Sequence, residues 1–343
     1  MTGFAVDDYN GHLAENPIEN AVPEQHDVNA QAGTQRQDPQ PKGPMLRYLT
    51  GALILLAFAV FVEAFIGWAA LLAPWKTLQL APLAGAIILV FLTYALRALR
   101  IYDYFRADIR GRFAPCLRLS LQHNLLNNLL PMRTGEISFP LLMSRYFDIA
   151  PLRSVPTLLW FRLLDLHTLL AGGLLIAGDR LFGRESSLLL ATAWMILPWL
   201  TYRLYRPLTQ ALSRHPGRVQ KFAASALQGL PHQPGLFWRS WLWTLCNWTV
   251  KLAVFAWVLN LFADTGFAAA WVGATAGDLT SVLPIHGVAG AGTYEAGVVA
   301  GLLPFEIDAA NALQAAVNLH LFVLGCTLLS GLLSLALPGA GRR

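Results

Sequence analysis

The chain has 343 residues, of which 55% are hydrophobic and only 13% charged, and its mean hydropathy is +0.47. Soluble domains carry about a quarter charged residues, so a water-soluble globular fold is not expected. Seven of the 20 acidic but only two of the 25 basic residues lie in residues 1–45, so the remainder is strongly cationic. Its basic residues lie in short loops between apolar runs, which indicates a cytoplasmic membrane face and not nucleic-acid binding.

Residues 1–45 are rich in Asn, Gln, Asp, Glu and Pro. Such a segment cannot bury enough apolar surface to offset the entropy of ordering, so we expect a disordered acidic cytoplasmic tail. It is not a signal peptide, because no basic start is followed at once by an apolar core. We predict a transmembrane domain over 46–337 and a short cytoplasmic tail at 338–343.

Several apolar runs reach the length of about 20 residues that crosses the hydrocarbon core. They lie near 48–73, 78–96, 155–178, 186–204, 237–262 and 309–337. In 113–150 and 266–306, shorter apolar stretches are interrupted by proline and then glycine, which predicts two broken or re-entrant helical hairpins. The predicted fold class is therefore all-α, a polytopic membrane helical bundle of about six full spans plus two hairpins, roughly eight embedded segments.

Broken backbone inside a bilayer is tolerated only where protein or a watery cavity surrounds it, so the two breaks point to the working site. Their sequences are similar, Leu130–Glu136 against Leu283–His286 followed by Gly292–Glu295. Transporters built from internal repeats show matched interruptions, and an internal inverted repeat would explain the likeness. The residues expected to form the breaks are Pro131, Gly135, Pro284, Gly287, Gly290 and Gly292.

Basic residues crowd two connections, at 97–118 and at 203–239. Cytoplasmic loops carry such an excess, so both connections are expected on the cytoplasmic side. With hairpins that do not cross, the amino and carboxyl termini are cytoplasmic as well.

The densest polar group inside the membrane is Asn128, Arg133 and Glu136 at the first break. A charge at bilayer depth costs at least about 2.5–3.5 kcal/mol and needs a partner, a cavity or a function. Arg133 can offer its planar fork to phosphate oxygens while Glu136 fixes Arg133 or pairs with a basic group. Alternatively, Arg133 and Glu136 only stabilise a helix start as an ion pair.

Arg162 and Asp165 are three residues apart in an apolar span and so share one helical face. This pair can simply neutralise itself, since buried ion pairs often do no more than cancel their own desolvation. Arg162 is also a candidate to bind an anion, whereas His167 fits a hydrogen-bonded core histidine.

The second break extends from Asp278 through a glycine-rich stretch to Glu295. A helix that begins near Thr293 would turn its free N–H groups toward the break, which suits an anion. Glu295 is then either a helix-start carboxylate or the counter-charge of Arg133 or Arg162.

Four further charged residues lie within or beside spans. Glu63 and Lys251 are each isolated in sequence and are candidates to be each other's partner or to form a counter-ion route. Arg97 and Arg100 end the second span, where interfacial anchoring and binding of an anionic headgroup both remain open.

Enzyme motifs are missing from the sequence: it has no Gly-x-x-x-x-Gly-Lys phosphate loop, no His-Glu-x-x-His zinc helix and no Gly-x-Ser-x-Gly elbow. Its three cysteines lie far apart without the spacing of a disulfide framework or zinc site. We expect no cofactor, no metal and no catalytic residue.

Over about 46–337 the chain resembles the lysylphosphatidylglycerol synthase/flippase transmembrane family of bacterial and archaeal membranes. The resemblance rests on Leu96–Arg100, Asn128-x-x-Pro131-x-Arg133-x-Gly135-Glu136, Arg162-x-x-Asp165, and the stretch from Pro284 to Glu295. It implies an inner-membrane lipid flippase with sites at Arg133, Glu136, Arg162, Asp165 and Glu295. The chain ends six residues after its last span, so we expect no synthase domain. His286 stands where the family usually has a small residue, so the substrate can differ.

The expected function is a stand-alone flippase that moves a phospholipid or related lipid between leaflets through a polar cavity. Its substrate-binding or transport residues would be Arg97, Arg100, Asn128, Arg133, Glu136, Arg162, Asp165, Asp278, Glu295 and Glu63. The alternatives are a membrane-embedded transferase that uses Glu136 or Asp165 as base, a non-transporting partner of lipid-synthesis enzymes, and a small-solute transporter. The expected partners are a membrane phospholipid and a lipid-biosynthetic enzyme.

Overall fold

The protein is described from a computed structural model over residues 67–214, 217–282 and 288–339, with Val60, Glu63 and Ala64 before them. Over these residues the regular structure is helical and contains no strand, which confirms the all-α fold class. The α-helices are α1 Trp68–Thr77, α2 Leu80–Tyr104, α3 Arg106–Ile109, α4 Phe113–Leu129, α5 Ser138–Phe147, α6 Pro151–Phe182, α7 Arg184–Arg203, α8 Tyr205–Arg214, α9 Arg218–Gln228, α10 Pro234–Phe262, α11 Phe267–Val282, α12 Thr293–Leu302 and α13 Ala309–Ala336.

Four of the described helices are long and apolar enough to cross a membrane: α2, α6, α10 and α13. They correspond to four of the predicted spans. The predicted span at 186–204 forms α7, which at 20 residues is shorter and less apolar than these four. Most of the predicted span at 48–73 lies outside the described residues, as does the tail at 1–45. The total number of spans, the inverted repeat and the orientation remain predictions.

The first hairpin consists of α4, a 3-10 segment at Pro131–Ile137 and α5. Leu130 is extended, with φ −80° and ψ 137°, because a residue before proline is pushed out of the helical region. The chain then folds back so tightly that a Cβ on Gly135 would lie 2.4 Å from the Asn127 Cα. The predicted break at Pro131 and Gly135 is therefore present, and glycine is required for the close return.

The second hairpin consists of α11 and α12, which pack backbone to backbone. Gly297 and Gly301 on α12 would each bring a Cβ to 2.8 Å from a carbonyl oxygen of α11, that of Ala276 and that of Val272. Small residues four apart permit this close approach between membrane helices. Before α12, Gly290 and Gly292 have positive φ of 80° and 81°, which suits glycine. Pro284 and Gly287 lie outside the described residues.

The two hairpins meet inside the ring of spans. The 3-10 segment Pro131–Ile137 of the first hairpin contacts the 3-10 segment Val288–Gly290 beside the second break. Around them α2 packs on α10 and α4, α6 packs on α7 and α11, and α13 packs on α4, α10 and α12. The described parts of the two hairpins, Pro131–Ile137 and Val288–Gly290, thus lie against each other among these helices.

Replacement of Gly135 by Ala is expected to lower the free energy of unfolding by about 1–3 kcal/mol, because the added Cβ would collide with the α4 backbone. The matched control is Gly235→Ala in the first turn of α10, where a Cβ would meet nothing within 4 Å. Thermal unfolding of both variants in detergent measures the difference. Equal melting temperatures would show that the return of the first hairpin is not as tight as described.

Candidate functional site

Asp165 on α6 is the centre of a buried ion network. Its carboxylate is 2.6 Å from Arg100 Nη1 of α2 and 3.2 Å from Arg162 Nη1 one turn earlier on α6. The indole N–H of Trp248 on α10 donates a third bond to it at 2.9 Å. Asp165 is only 1% exposed, so two guanidinium groups share one carboxylate out of solvent. The predicted Arg162–Asp165 pair is confirmed.

Arg100 is buried inside the bundle and contacts two other helices. It donates to the Thr244 hydroxyl at 2.8 Å and lies over the Phe161 ring at 4.4 Å. With 5% exposure it is buried in protein, so the interfacial-anchor interpretation is wrong for Arg100. Arg100 turns into the bundle because it pairs with Asp165, which is 65 residues away in the chain and so could not be recognised as its partner from the sequence.

Glu136 extends the network into the first hairpin. Its Oε1 lies 2.8 Å from Arg162 Nη2, so the carboxylate ties the 3-10 segment to α6. The Arg133 side chain lies outside the described side chains, and the predicted Arg133–Glu136 pair with it. Arg162 therefore contacts two carboxylates, Glu136 and Asp165, and its charge is neutralised by protein.

His123 on α4 joins the same network, and the sequence analysis missed it. Ser138 donates its hydroxyl hydrogen to the Gly135 carbonyl at 2.6 Å, so the 2.9 Å contact of its oxygen with His123 requires a proton on His123 Nδ1. Nε2 then accepts from Arg162 at 3.5 Å. A signal existed, because His123 and Asn124 are polar residues in the short α4 just before the Asn127–Asn128 pair.

A second ion pair joins α10 to the second hairpin. Lys251 Nζ lies 2.8 Å from Asp278 Oδ1 on α11 and 4.6 Å from the centre of the Trp248 ring. The predicted pairing of Lys251 with Glu63 is wrong, because Lys251 faces α11. Glu63 instead accepts the backbone N–H of Trp68 at 3.0 Å in an exposed position.

Glu295 forms the third buried pair, with His320 of α13. His320 Nδ1 lies 2.6 Å from Glu295 Oε1, and Glu295 Oε2 accepts the Gly292 N–H at 2.8 Å. The helix-start role of Glu295 is confirmed, because α12 begins at Thr293 and the carboxylate closes its first turn. The alternative role as counter-charge of Arg162 is wrong, since Glu295 contacts α13 and Arg162 contacts Glu136.

Arg162, Lys251, Asp278 and His320, one or more from each of these ion pairs, line a polar cavity of about 70 Å³ between the two hairpins. Its walls come from α2, α4, α6, α10, α11, α12 and α13. The lining residues include Tyr94, Arg97, Asn124, Asn127, Asn128, Arg162, Trp248, Lys251, Phe255, Asp278, Ser281, Ala289, Tyr294, His320, Val323 and Leu324. Asn128 also donates to the Thr327 hydroxyl at 3.0 Å and so fixes α4 against α13.

Arg97 differs from the other described cations around this cavity. Arg100, Arg162 and Lys251 each contact a carboxylate, whereas Arg97 donates one bond, at 2.8 Å, to the amide oxygen of Asn124. Its buried Nε has no hydrogen-bond partner among the described residues, and neither has the Asn124 Nδ2 beside it. Arg97 lines the cavity and is not simply an interfacial anchor. The site therefore combines a guanidinium without a carboxylate partner and an amide N–H group without an acceptor among the described residues.

A larger, open cavity of about 780 Å³ lies where α2 and α6 approach α9 and α10. Four arginines line it: Arg106, Arg110, Arg153 and Arg239. Two of them pair with acids, Arg153 with Asp108 and Arg239 with Asp103. Arg106, Arg110 and Arg239 belong to the two connections that the sequence predicts on the cytoplasmic side.

Comparison with known proteins gives one family match. The model of the lysylphosphatidylglycerol synthase TM region matches residues 48–331. No curated protein matches the chain, and no solved structure matches it.

Replacement of Asp165 by Asn is expected to cost about 3–5 kcal/mol of unfolding free energy, because Arg100 and Arg162 would keep their charges with one carboxylate fewer. The control is Asp108→Asn, whose partner Arg153 is 55% exposed, and this change is expected to cost about 1 kcal/mol or less. Unfolding in mixed detergent–denaturant solution measures both. Similar losses in the two variants would contradict the central position of Asp165.

Proposed function

The chain belongs to the lysylphosphatidylglycerol synthase transmembrane family, and we propose that it moves a phospholipid or related anionic lipid between leaflets by passing the headgroup through its polar cavity. The chain is a multi-pass membrane protein whose family acts on membrane lipids. The identity of the lipid and its route through the protein are what we propose. The observation that carries the proposal is Arg97, a cation that faces the cavity without a carboxylate partner among the described residues.

Arg97 fits the phosphodiester group that phospholipids share. A phosphate of this kind carries one negative charge at neutral pH, and the guanidinium fork can bind two of its oxygens at once. The Asn124 Nδ2 and the Tyr294 hydroxyl are buried without a described hydrogen-bond partner, and both residues line the same cavity. An anion in the cavity would therefore supply an acceptor to the Arg97 Nε and to these donors, which offsets the desolvation of the headgroup.

The other site residues support Arg97 by fixing the charges around it. Arg100 and Arg162 are neutralised by Asp165 and Glu136, so they set the electrostatic background without competing for the anion. Arg133 lies on the 3-10 segment that contacts the second break, and we assign it a secondary contact with the headgroup. Asn128 and Asp278 hold the two hairpins to α13 and α10.

Movement of a headgroup requires the cavity to widen. A water molecule needs at least about 10–15 Å³ of such space, so about 70 Å³ holds a few waters and not a phospholipid headgroup. The two breaks face each other at this point, so parting of the hairpins would open the cavity. Rocking of one set of helices against another around a fixed central site is the usual means of alternating access.

A transferase is less well supported by the geometry. A catalytic base must be free to accept a proton from the substrate. Glu136 and Asp165, the two carboxylates considered for that role, are each engaged by arginine at 2.6–2.8 Å. Protonation of either carboxylate would break a buried ion pair with arginine, which costs several kcal/mol. The same experiment can still detect lipid chemistry directly.

The test is leaflet exchange of fluorescent phospholipids in liposomes that contain purified protein. Wild-type protein is expected to speed exchange of an anionic phospholipid, and Arg97→Gln is expected to slow it by about tenfold or more, since a charge-assisted contact is lost. The control Arg153→Gln removes an exposed arginine on the open cavity and is expected to change the rate less than twofold.

Three other outcomes would revise the proposal. Exchange equal to empty liposomes for every lipid would reject lipid movement. A chemically altered lipid, found by mass spectrometry after incubation in detergent, would favour the transferase. Normal exchange by Arg97→Gln would keep lipid movement but remove Arg97 from the site.

A further inference from the structure

The Glu295–His320 pair differs from the other buried pairs in the nature of its cation. Glu136, Asp165 and Asp278 each contact an arginine or a lysine, side chains whose ordinary pKa lies well above that of histidine. Among the described residues, Glu295 contacts a histidine and one backbone N–H. His320 is neutral or charged according to a single proton. A second histidine, His123, lies 3.9 Å from the Glu136 carboxylate, but only His320 of these two lines the cavity.

The geometry defines where that proton would go. An ionised Glu295 only accepts hydrogen bonds, so the 2.6 Å contact requires that His320 Nδ1 carries a hydrogen and donates it. When the imidazole is neutral and carries its hydrogen on Nδ1, its Nε2 has a lone pair. A proton that arrives from water forms an N–H bond at Nε2 and gives an imidazolium beside the Glu295 carboxylate. The O–H bond of the hydronium ion that delivers the proton breaks as the N–H bond forms, and release of the proton to water reverses the step.

His320 lies in the wall of the cavity that contains Arg97. The charged and titratable groups that face this cavity from the elements around the pair are Tyr94 and Arg97 on α2, Arg162 on α6, Lys251 on α10, Asp278 on α11 and Tyr294 on α12. Of these, Arg162 and Lys251 are neutralised by carboxylates. The Tyr294 and His320 rings are 4.7 Å apart, so α12 and α13 are packed directly at the pair.

We infer that His320 takes up one proton for each lipid anion that enters the cavity, so that the anion and the proton cross the membrane together. This inference rests on the proposed function and names the ion coupled to it. A headgroup phosphate brings one negative charge into a low-dielectric site, and an imidazolium at His320 cancels it. Together they cross without net charge, which avoids the cost of carrying an uncompensated charge through the bilayer.

Glu295 also connects the proton to the backbone of the second hairpin. Its Oε2 accepts the N–H of Gly292, where the chain has a φ of 81° and α12 begins. The carboxylate therefore touches both the imidazole and the break that faces the first hairpin. An added positive charge on His320 draws on the same carboxylate that closes this turn, so protonation and the conformation of the break act on each other.

The experiment uses liposomes that contain the full-length protein, a trapped fluorescent pH indicator, and potassium with valinomycin to hold the membrane potential at zero. Fluorescent phosphatidylglycerol is added outside, and its inward movement and the luminal pH are recorded together. For wild-type protein we expect the lumen to acidify as lipid moves inward, and an outside-acid pH gradient to drive inward accumulation of the lipid. Empty liposomes give the passive background of both signals.

Two variants remove the proton site in different ways. His320→Asn retains an amide N–H near Nδ1 for Glu295 but cannot be protonated, and Glu295→Gln retains the shape but removes the counter-charge of the imidazolium. Both are expected to lose luminal acidification and the response to the pH gradient. His167→Asn is the matched control, because His167 does not line the cavity and its Nε2 lies 2.8 Å from the Trp194 carbonyl oxygen. We expect this variant to behave as wild type. Melting temperatures confirm that each variant is folded.

The possible outcomes distinguish failure of the proton inference from failure of the proposed function. Lipid movement by wild-type protein without acidification overturns the proton inference and leaves the proposed function standing. Acidification by His320→Asn and Glu295→Gln equal to wild type also overturns it. The absence of any lipid movement by wild-type protein overturns the proposed function and, with it, the coupling.

Discussion

The interior of this bundle depends on neutralisation of buried positive charge. Arg100 and Arg162 approach Asp165 from two different helices, and Glu136 brings a second carboxylate to Arg162 from the first hairpin. Removal of any one of these groups would leave the buried network with an unbalanced charge, which costs far more than the pair gains. The network therefore fixes where α2, α6 and the first hairpin lie, and the cavity beside it has the shape that those positions leave.

Glycine and proline set the second constraint, because the two hairpins must turn inside the bundle. Pro131 ends α4, and Gly135 lets the chain return against the α4 backbone. In the second hairpin, glycine pairs on α11 and α12 bring two backbones into contact. The ion pairs and the tight turns serve the same end, since both bring polar groups to the middle of an apolar bundle and satisfy most of them there.

The sequence predicted the local features and missed the long-range ones. Apolar length predicted α2, α6, α10 and α13, proline and glycine predicted the first break, and helical spacing predicted the Arg162–Asp165 pair. The start of α12 at Thr293 followed from the glycines before it. Each of these signals lies within a few residues of the feature that it specifies.

Pairing between distant helices carries no such signal. Lys251 was paired with Glu63 because both stood alone in apolar runs, and the choice of Asp278 follows from the packing of α10 on α11. The same is true of Glu136 with Arg162 and of Glu295 with His320. Arg97 and Arg100 are three residues apart on one helix, yet Arg100 reaches Asp165 and Arg97 does not, which only the three-dimensional arrangement distinguishes.

The backbone contact between α11 and α12 also has a mechanical consequence. Where Gly297 and Gly301 lie against α11 carbonyls, sliding or rotation of one helix past the other would cause collisions. The two helices are therefore expected to move as one rigid unit. Asp278 lies on α11 and Glu295 lies on α12. Because the two helices would move together, a displacement at Glu295 is expected to shift Asp278 and its partner Lys251 as well.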